Sequence, residues 1–464
     1  MISLSLDQIA QAVNGELIGK DAMVTGSVET DSRLVSAGSL FVAKPGEFTD
    51  GHLFLASAEQ GGAIGAIVEH QVSDSALPQI VVSDSVVALG LLAKFVLGKL
   101  RDSNSLTVIG ITGSNGKTST KNMLREILSL AGETIAPIES YNNEVGAPIS
   151  MLKASESTKY LVVELGAGGV GSIEYLADIC KPNIAVILKV GLAHVGEFGG
   201  IETTFQIKGE LARALGSDDL LVLNADDGLV ASMQELTEAK VHWFGTSENS
   251  GVWASDIEVT LAGTKFVLHV GPETHEVVLN ILGEHQVMNA LAALEVSQLL
   301  GLPIGESIGA LERMQLAERW RMQLLPGPKG SFIINDAYNA SPDSTKAALQ
   351  TLATLGRQGH RTIAVLGEMA ELGSQAAEQH DAIGRIAVRL NIDQVVVVGE
   401  RAKLIHMGAS QEGSWDGESK FYESIDEALE AVRGLLGSGD IVLVKSSKSA
   451  NLRFLGDALA EVKQ

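Results

Sequence analysis

The 464-residue chain is long enough for two to four domains with sizeable cores, which excludes a single small module. Its 57 acidic and 34 basic residues give a formal net charge of −23 with no basic tail, which argues against broad nucleic-acid or anionic-membrane binding, since both need a cationic surface. Glycine, at 50 residues, is about 11% of the chain against a usual value of roughly 7%, and beside 45% hydrophobic residues it points to many strand-to-helix turns rather than to disorder.

In chain order, residues 1–83 hold short β-rich runs, Leu40–Ala43, Ala66–Val68 and Ile80–Val82, between Gly, Asp and Ser turn clusters, and read as a small α/β domain. The opening MISLSLDQIA has neither a basic stretch nor an apolar core of the signal-peptide kind. Residues 84–314 form a second region. It opens on Val86 to Leu100, an apolar run interrupted by Lys94 and Lys99 and too short for a membrane span, whose spacing predicts an amphipathic helix. Leu106 to Thr112 is a continuous apolar strand running into a glycine loop and a helix near Lys117. Tyr160–Glu164, Ile184–Leu188 and Leu220–Leu223 repeat the pattern of a buried parallel sheet. Phe266 to Val278 alternates around Gly271-Pro272 as an antiparallel hairpin, and His285 to Leu300 reads as a helix. In residues 315–464, the apolar strands Ile333-Ile334, Ile363–Leu366, Gln394–Val398 and Ile441–Val444 alternate with helical stretches, giving a second open Rossmann-like α/β domain, with Pro326–Gly330 as a turn inside it. The lone Cys180 excludes an internal disulfide and, with the absence of a leader, suggests a soluble cytoplasmic protein.

Thr112-Gly-Ser-Asn-Gly-Lys-Thr118 lies between a buried strand and a helix, where a phosphate-binding loop belongs. Glycines let backbone N–H groups turn toward phosphate oxygens, Lys117 reaches terminal phosphates, and the Thr118 hydroxyl can ligate Mg²⁺. The first glycine of the general pattern would fall on Ile111, so the match is incomplete; the loop alone says that a nucleoside triphosphate binds. Glu164 ends a buried strand, where active-site acids collect in open parallel sheets, and suits Mg²⁺ as a hard oxygen donor. Taken singly, His194 reads as a capping or core histidine, Lys208 as a surface lysine and Arg319 as half of a surface ion pair.

This loop resembles that of the Mur ligase and folylpolyglutamate synthase superfamily, and further motifs agree in order over essentially the whole chain. Thr30-Asp-Ser-Arg33, Leu40–Ala43 and Asp50-Gly-His52 resemble the Mur ligases' uridine-nucleotide domain. Tyr141–Pro148, Glu164–Ala167, Gly191–His194 and Lys208-Gly-Glu210 resemble their ATPase domain. Asp336–Ser344 and Gly367–Gly373 resemble the C-terminal domain of the dipeptide-adding branch. The resemblance implies an α/β enzyme of three domains: 1–83 binding the UDP-linked substrate, 84–314 binding ATP, and 315–464 binding the incoming dipeptide and closing on ATP. It implies ATP-dependent ligation of D-alanyl-D-alanine to UDP-N-acetylmuramoyl-tripeptide through an acyl phosphate, by a cytoplasmic monomer that uses two Mg²⁺ ions.

Residue by residue, it implies catalytic roles for Lys117, Glu164, His194 and Lys208, with Thr118, Glu164, His194 and Lys208 around the metal and Lys208 carbamylated. Gly113, Ser114, Asn115, Gly116, Lys117, Thr118, Ser119, His285, Asn289, Arg321 and Asp336 are implied at ATP. Asp31, Ser32, Arg33, Asn142, Asn143, Tyr338, Asn339 and Ser344 are implied at the other substrates. Lys189, Gln286, Gly168-Gly169 and Ser446-Ser447-Lys448 depart from the usual pattern. The alternatives are a Mur ligase adding a single amino acid, against which the chain lacks the Asp-Asn-Pro-Arg sequence of the diaminopimelate branch, and a non-catalytic nucleotide-binding partner subunit.

Overall fold

The computed structural model describes residues 1–46, 49–103, 106–137, 141–192, 195–314, 319–413 and 418–462. Three large sheets organise the chain. The first has five strands in the spatial order Glu16–Ile18, Gln79–Val81, Gly65–Val68, Leu40–Val42 and Val28–Glu29, with a separate two-stranded pair, Leu4–Ser5 and Met23–Val24. All neighbours in the five-stranded sheet are parallel except the Glu16–Ile18 edge. Helix Ser85–Ser103 buries Leu89, Leu92, Ala93, Val96 and Leu97 in a core that also contains Leu6 and Ile9 from the first unit and Val108 and Leu161 from the second. One continuous apolar core therefore ties these two sheets together.

The central sheet has nine strands. Thr107–Thr112 is third from one edge, parallel to Thr158–Glu164 on one side and Ile184–Ile187 on the other. Because the chain leaves this strand toward opposite sides, the carboxyl ends of three buried strands open a crevice, the place where ligands bind in such sheets. The expected hairpin is present as Gly263–Val270 and Glu273–Leu279. Two strands not expected from the sequence, Lys240–Gly245 and Val252–Thr260, join that hairpin to the parallel strands. The apolar helix Glu284–Leu299 covers this side of the sheet, with Val287, Ala290, Leu291 and Leu294 buried.

The third sheet has the order Gln323–Pro326, Phe332–Asn335, Ile441–Lys445, Thr362–Leu366, Gln394–Val398 and Ser419–Tyr422. Only the first strand is antiparallel, and the turn around Gly327-Pro328 joins it to the second as anticipated. Cys180 is fully buried, and burial pushes its thiol up to about 12, so it is a packing residue. Among the described residues no helix is long and apolar enough to cross a membrane.

Glu295 is a buried acid away from the crevice. It is 4% exposed on helix Glu284–Leu299, with Oε1 3.3 Å from Nδ1 of His242 on strand Lys240–Gly245. Burial raises its carboxyl from 4.5 to about 7, whereas burial and then Lys240 lower His242. The folded chain thus holds the Glu295 proton more tightly than the unfolded chain does. That stabilisation, on the order of 3 kcal/mol, is fully present below pH 4.5 and is lost as pH rises through about 7. Glu295→Gln cannot ionise, so between pH 5 and 8 the wild-type thermal midpoint should fall relative to that of the variant; parallel profiles would contradict the assignment.

Candidate active site

The phosphate loop is shaped by two left-handed glycines. Gly116, at φ 90°, caps helix Lys117–Leu128, and a Cβ there would run into the Asn289 side chain; Gly113, at φ 151°, passes beside Leu188. The Ser114 N–H donates to the Lys189 carbonyl at 2.8 Å, and its hydroxyl accepts from the Gly191 N–H at 2.9 Å, so the loop is stitched to the end of the neighbouring strand. Lys117 curls back over the loop and donates to the Gly113 carbonyl at 2.7 Å. Burial lowers its pKa; Glu164 opposes that shift and Arg321 adds to it. Ser119 lies one residue beyond Thr118 on the same helix.

Glu164 is fully buried. Its Oε2 accepts from the Thr118 hydroxyl at 3.3 Å, and its Oε1 is 3.1 Å from the ammonium of Lys121, itself fully buried. Lys121 is not among the residues expected at the site from the sequence. Its one available signal is the four-residue spacing from Lys117, which puts both amines on one helical face. Thr118 and Glu164 offer two hard oxygens at a helix N-terminus, a donor set that fits Mg²⁺ when phosphate and water oxygens complete its shell. His194 lies outside the described residues.

Lys208 is 3% exposed on helix Ile201–Arg213 and, with Lys117, lines a cleft of about 530 Å³. Burial, followed by repulsion from Lys117, drives its pKa well below the ordinary lysine value, with Glu210 acting the other way. Glu210 also serves the backbone. Its carboxylate accepts the N–H groups of Gly171, Ile173 and Glu174 at 2.7 to 3.1 Å, fixing the start of helix Ser172–Cys180. Asn142, Asn143, Gly168 and Gly169 line the same cleft. The Asn143 side-chain oxygen also accepts the Gly146 N–H at 2.8 Å, which orders the helix that follows. Asp31 and Arg33 are not among its lining residues; they pair with each other at the surface of the first unit, and the guanidinium holds the Asp31 carboxyl down at about 2. Ser32 lies between them.

A second cleft, of about 270 Å³, opens on the other side of the loop between Asn115, Gly116, Leu188, Lys189, Phe244, His285, Met288 and Asn289. Burial brings His285 down to about 4, so its imidazole is neutral at pH 7. Asn289 accepts from the Thr120 hydroxyl at 3.4 Å and donates to Gln286 Oε1 at 3.0 Å. The unusual Gln286 thus orients its neighbour.

The third unit meets this crevice. Arg321 Nη2 is 3.5 Å from the Thr118 hydroxyl, and its guanidinium lies 4.4 Å from the centre of the Tyr338 ring, over which Lys448 also sits at 5.4 Å. Asp336 is held by Lys445 at 2.7 Å and accepts the Met322 N–H at 3.0 Å; the same lysine donates to the Asn339 carbonyl at 2.8 Å. Ser341 and Ser344 form a capping box on helix Pro342–Gly356, and the Ser341 hydroxyl reaches Asn115 at 3.3 Å. Asp343 accepts the Leu192 N–H at 2.8 Å, with Lys189 3.8 Å away, and the Gly196 N–H donates to the Glu371 carbonyl at 3.1 Å. The third unit therefore contacts the phosphate loop and the loop that follows Ile184–Ile187.

The sequence matches the Mur ligase middle domain over residues 111–297, the Mur ligase glutamate ligase domain over 320–448 and the Mur ligase family catalytic domain over 25–92. It is 41% identical to UDP-N-acetylmuramoyl-tripeptide–D-alanyl-D-alanine ligase of Mycobacterium tuberculosis, across 99% of this chain and 98% of that one. The fold superposes on a crystal structure of MurF from Acinetobacter baumannii with a TM-score of 0.89 and 31% identity, covering 99% of both chains. It also superposes on MurF of Thermotoga maritima in complex with ADP, with a TM-score of 0.81 and 26% identity over 94% of this chain and 97% of that one. The chain belongs to the Mur ligase family, in the branch whose members are named UDP-N-acetylmuramoyl-tripeptide–D-alanyl-D-alanine ligase.

Proposed function

We propose that the protein joins D-alanyl-D-alanine to UDP-N-acetylmuramoyl-tripeptide at the expense of ATP, releasing ADP and phosphate. The observation that carries this reading is the placement of one phosphate loop between two clefts: Asn115 and Gly116 line the smaller one, beside His285 and Asn289, and Lys117 lines the larger. In this reading residues 84–314 bind ATP, with its base beside the neutral His285 and Asn289 and its phosphates along Gly113–Ser119. Residues 1–83 hold the uridine nucleotide through Asp31, Ser32 and Arg33, and the peptide end of that substrate enters past Asn142 and Asn143. Residues 315–464 bring Arg321 and Asp336 to ATP, and Tyr338, Asn339 and Ser344 to the dipeptide.

A carboxylate is a poor acyl donor because its oxide leaves badly and its charge repels nucleophiles. One oxygen of the tripeptide carboxylate attacks the γ-phosphorus of ATP, and the bond to the β–γ bridging oxygen breaks, leaving ADP and an acyl phosphate. The neutral amine of the dipeptide then attacks the acyl carbon; phosphate departs, the nitrogen loses a proton and the amide remains. Lys117 and Arg321 offset negative charge on the phosphoryl oxygens, and closure of the third unit keeps water from the acyl phosphate. Mg²⁺ held at Thr118, Glu164, His194 and a carbamylated Lys208 would supply further charge neutralisation on the phosphates. The depressed pKa of Lys208 favours the neutral amine that adds to CO₂. The enzyme works as a cytoplasmic monomer in this reading, consistent with its water-soluble substrates.

Phosphate release should require ATP, UDP-muramoyl tripeptide and D-alanyl-D-alanine together; release stimulated by a single amino acid in place of the dipeptide would favour the other branches. Lys117→Met should lower kcat on the order of 10³-fold, the scale of losing one preorganised charge at the reacting oxygens, and a wild-type rate would contradict its role. With ¹³C-labelled bicarbonate, the wild type should give a carbamate carbon resonance that Lys208→Met lacks; identical spectra would remove the carbamate from the mechanism.

A further inference from the structure

Asp457 lies on the C-terminal helix Leu452–Leu459, outside every sequence motif of the site, yet it is a 2% exposed carboxylate. Its Oδ2 accepts from Arg319 Nη2 at 2.8 Å and from the Trp320 indole N–H at 3.0 Å, while its Oδ1 accepts from Asn335 Nδ2 at 3.1 Å. Two of these donors are the residues immediately before Arg321. Two cations also lie over the Trp320 ring, Arg319 at 4.8 Å and Arg453 at 5.5 Å from its centre.

The backbone here gives that anchorage a purpose. Trp320, at φ 63°, and Met322, at φ 48°, are both non-glycine residues in the left-handed region, and they flank Arg321. Such a conformation persists only where its surroundings over-determine it. The bonds that do so include the Trp320 indole N–H to Asp457, the Trp320 N–H to Gln323 Oε1 at 3.0 Å, the Tyr338 N–H to the Trp320 carbonyl at 3.1 Å, and the Met322 N–H to Asp336 at 3.0 Å. With Trp320 turned inward onto Asp457, the reversed backbone sends Arg321 the other way, over Tyr338 and to the Thr118 hydroxyl.

We propose that Asp457 is a positioning residue for Arg321: by fixing Arg319 and the Trp320 indole from the C-terminal helix, it holds the strained turn that aims the guanidinium at the nucleotide phosphates. The inference rests on the reading of Arg321 as a phosphate-binding group. Arg319, an apparent surface ion-pair residue by sequence, belongs to this anchor.

The test is a double-mutant cycle with Asp457→Asn in the wild-type and Arg321→Lys backgrounds, reading kcat/KM for ATP and, separately, ADP affinity by calorimetry. Trp320→Phe, which deletes the indole donor and trims the ring, serves as a second perturbation that leaves the buried carboxylate paired with Arg319 and Asn335. Asp457→Asn and Trp320→Phe should each lower kcat/KM and ADP affinity by about tenfold in the wild type, and by less than about twofold once Arg321 is lysine, because residues acting through one another are non-additive. Equal losses in both backgrounds, or no loss in the wild type, would overturn the inference while leaving Arg321 in place. Wild-type kinetics and ADP affinity in Arg321→Lys alone would overturn the reading of Arg321, and the inference with it.

Discussion

The site depends on cations kept out of water. Lys117 loses proton affinity through burial, Arg321 adds to that effect, and Lys121 is enclosed against Glu164, while burial beside Lys117 drives Lys208 toward the neutral amine. An arrangement of this kind is unfavourable in an empty site and favourable around a polyanion, since each charge acts at low dielectric and is already in place. This reconciles a chain of net charge −23 with anionic reactants: attraction is local, inside an acidic exterior. The Lys121–Glu164 pair leaves Oε2 as the carboxylate oxygen that meets Thr118, so the residue that could hold a metal is itself fixed by a buried countercharge.

The third unit completes the site through close backbone approach. Gly196 and Gly373 pack so tightly that a Cβ on either would strike the other, and the Gly196 N–H bonds across the same junction. Asp343, at the start of helix Pro342–Gly356, takes the Leu192 N–H just beyond the phosphate-loop side of the central sheet. Lys189, one of the departures from the usual pattern, stands beside it. The substitution thus adds a cation at a junction where a carboxylate crosses between units.

What the sequence revealed follows the physics of each signal. Buried parallel strands are continuous apolar runs, so Thr107–Thr112, Ile184–Ile187 and Ile441–Lys445 were legible, as was the glycine loop between strand and helix. Val252–Thr260 was not, because an edge-side strand with residues such as Asp256 and Glu258 reads as polar until its partners are known. Among site residues, Lys117, Thr118, Glu164 and Lys208 converge, whereas Asp31 and Arg33 pair at the surface of the first unit, outside the cleft lining, and His194 lies outside the described residues. Lys121 and Asp457 are illegible for a common reason: each is a charged residue on a helix, ordinary at the surface, and only tertiary contacts show that it is buried and paired.

The central step is transfer of a phosphoryl group to the tripeptide carboxylate within this cationic pocket. Ligation with tripeptide carrying ¹⁸O in both oxygens of that carboxylate, followed by mass analysis of the products, tests it directly. One labelled oxygen should leave in each phosphate released and the other should remain in the new amide. Unlabelled phosphate, or label appearing in AMP, would contradict it.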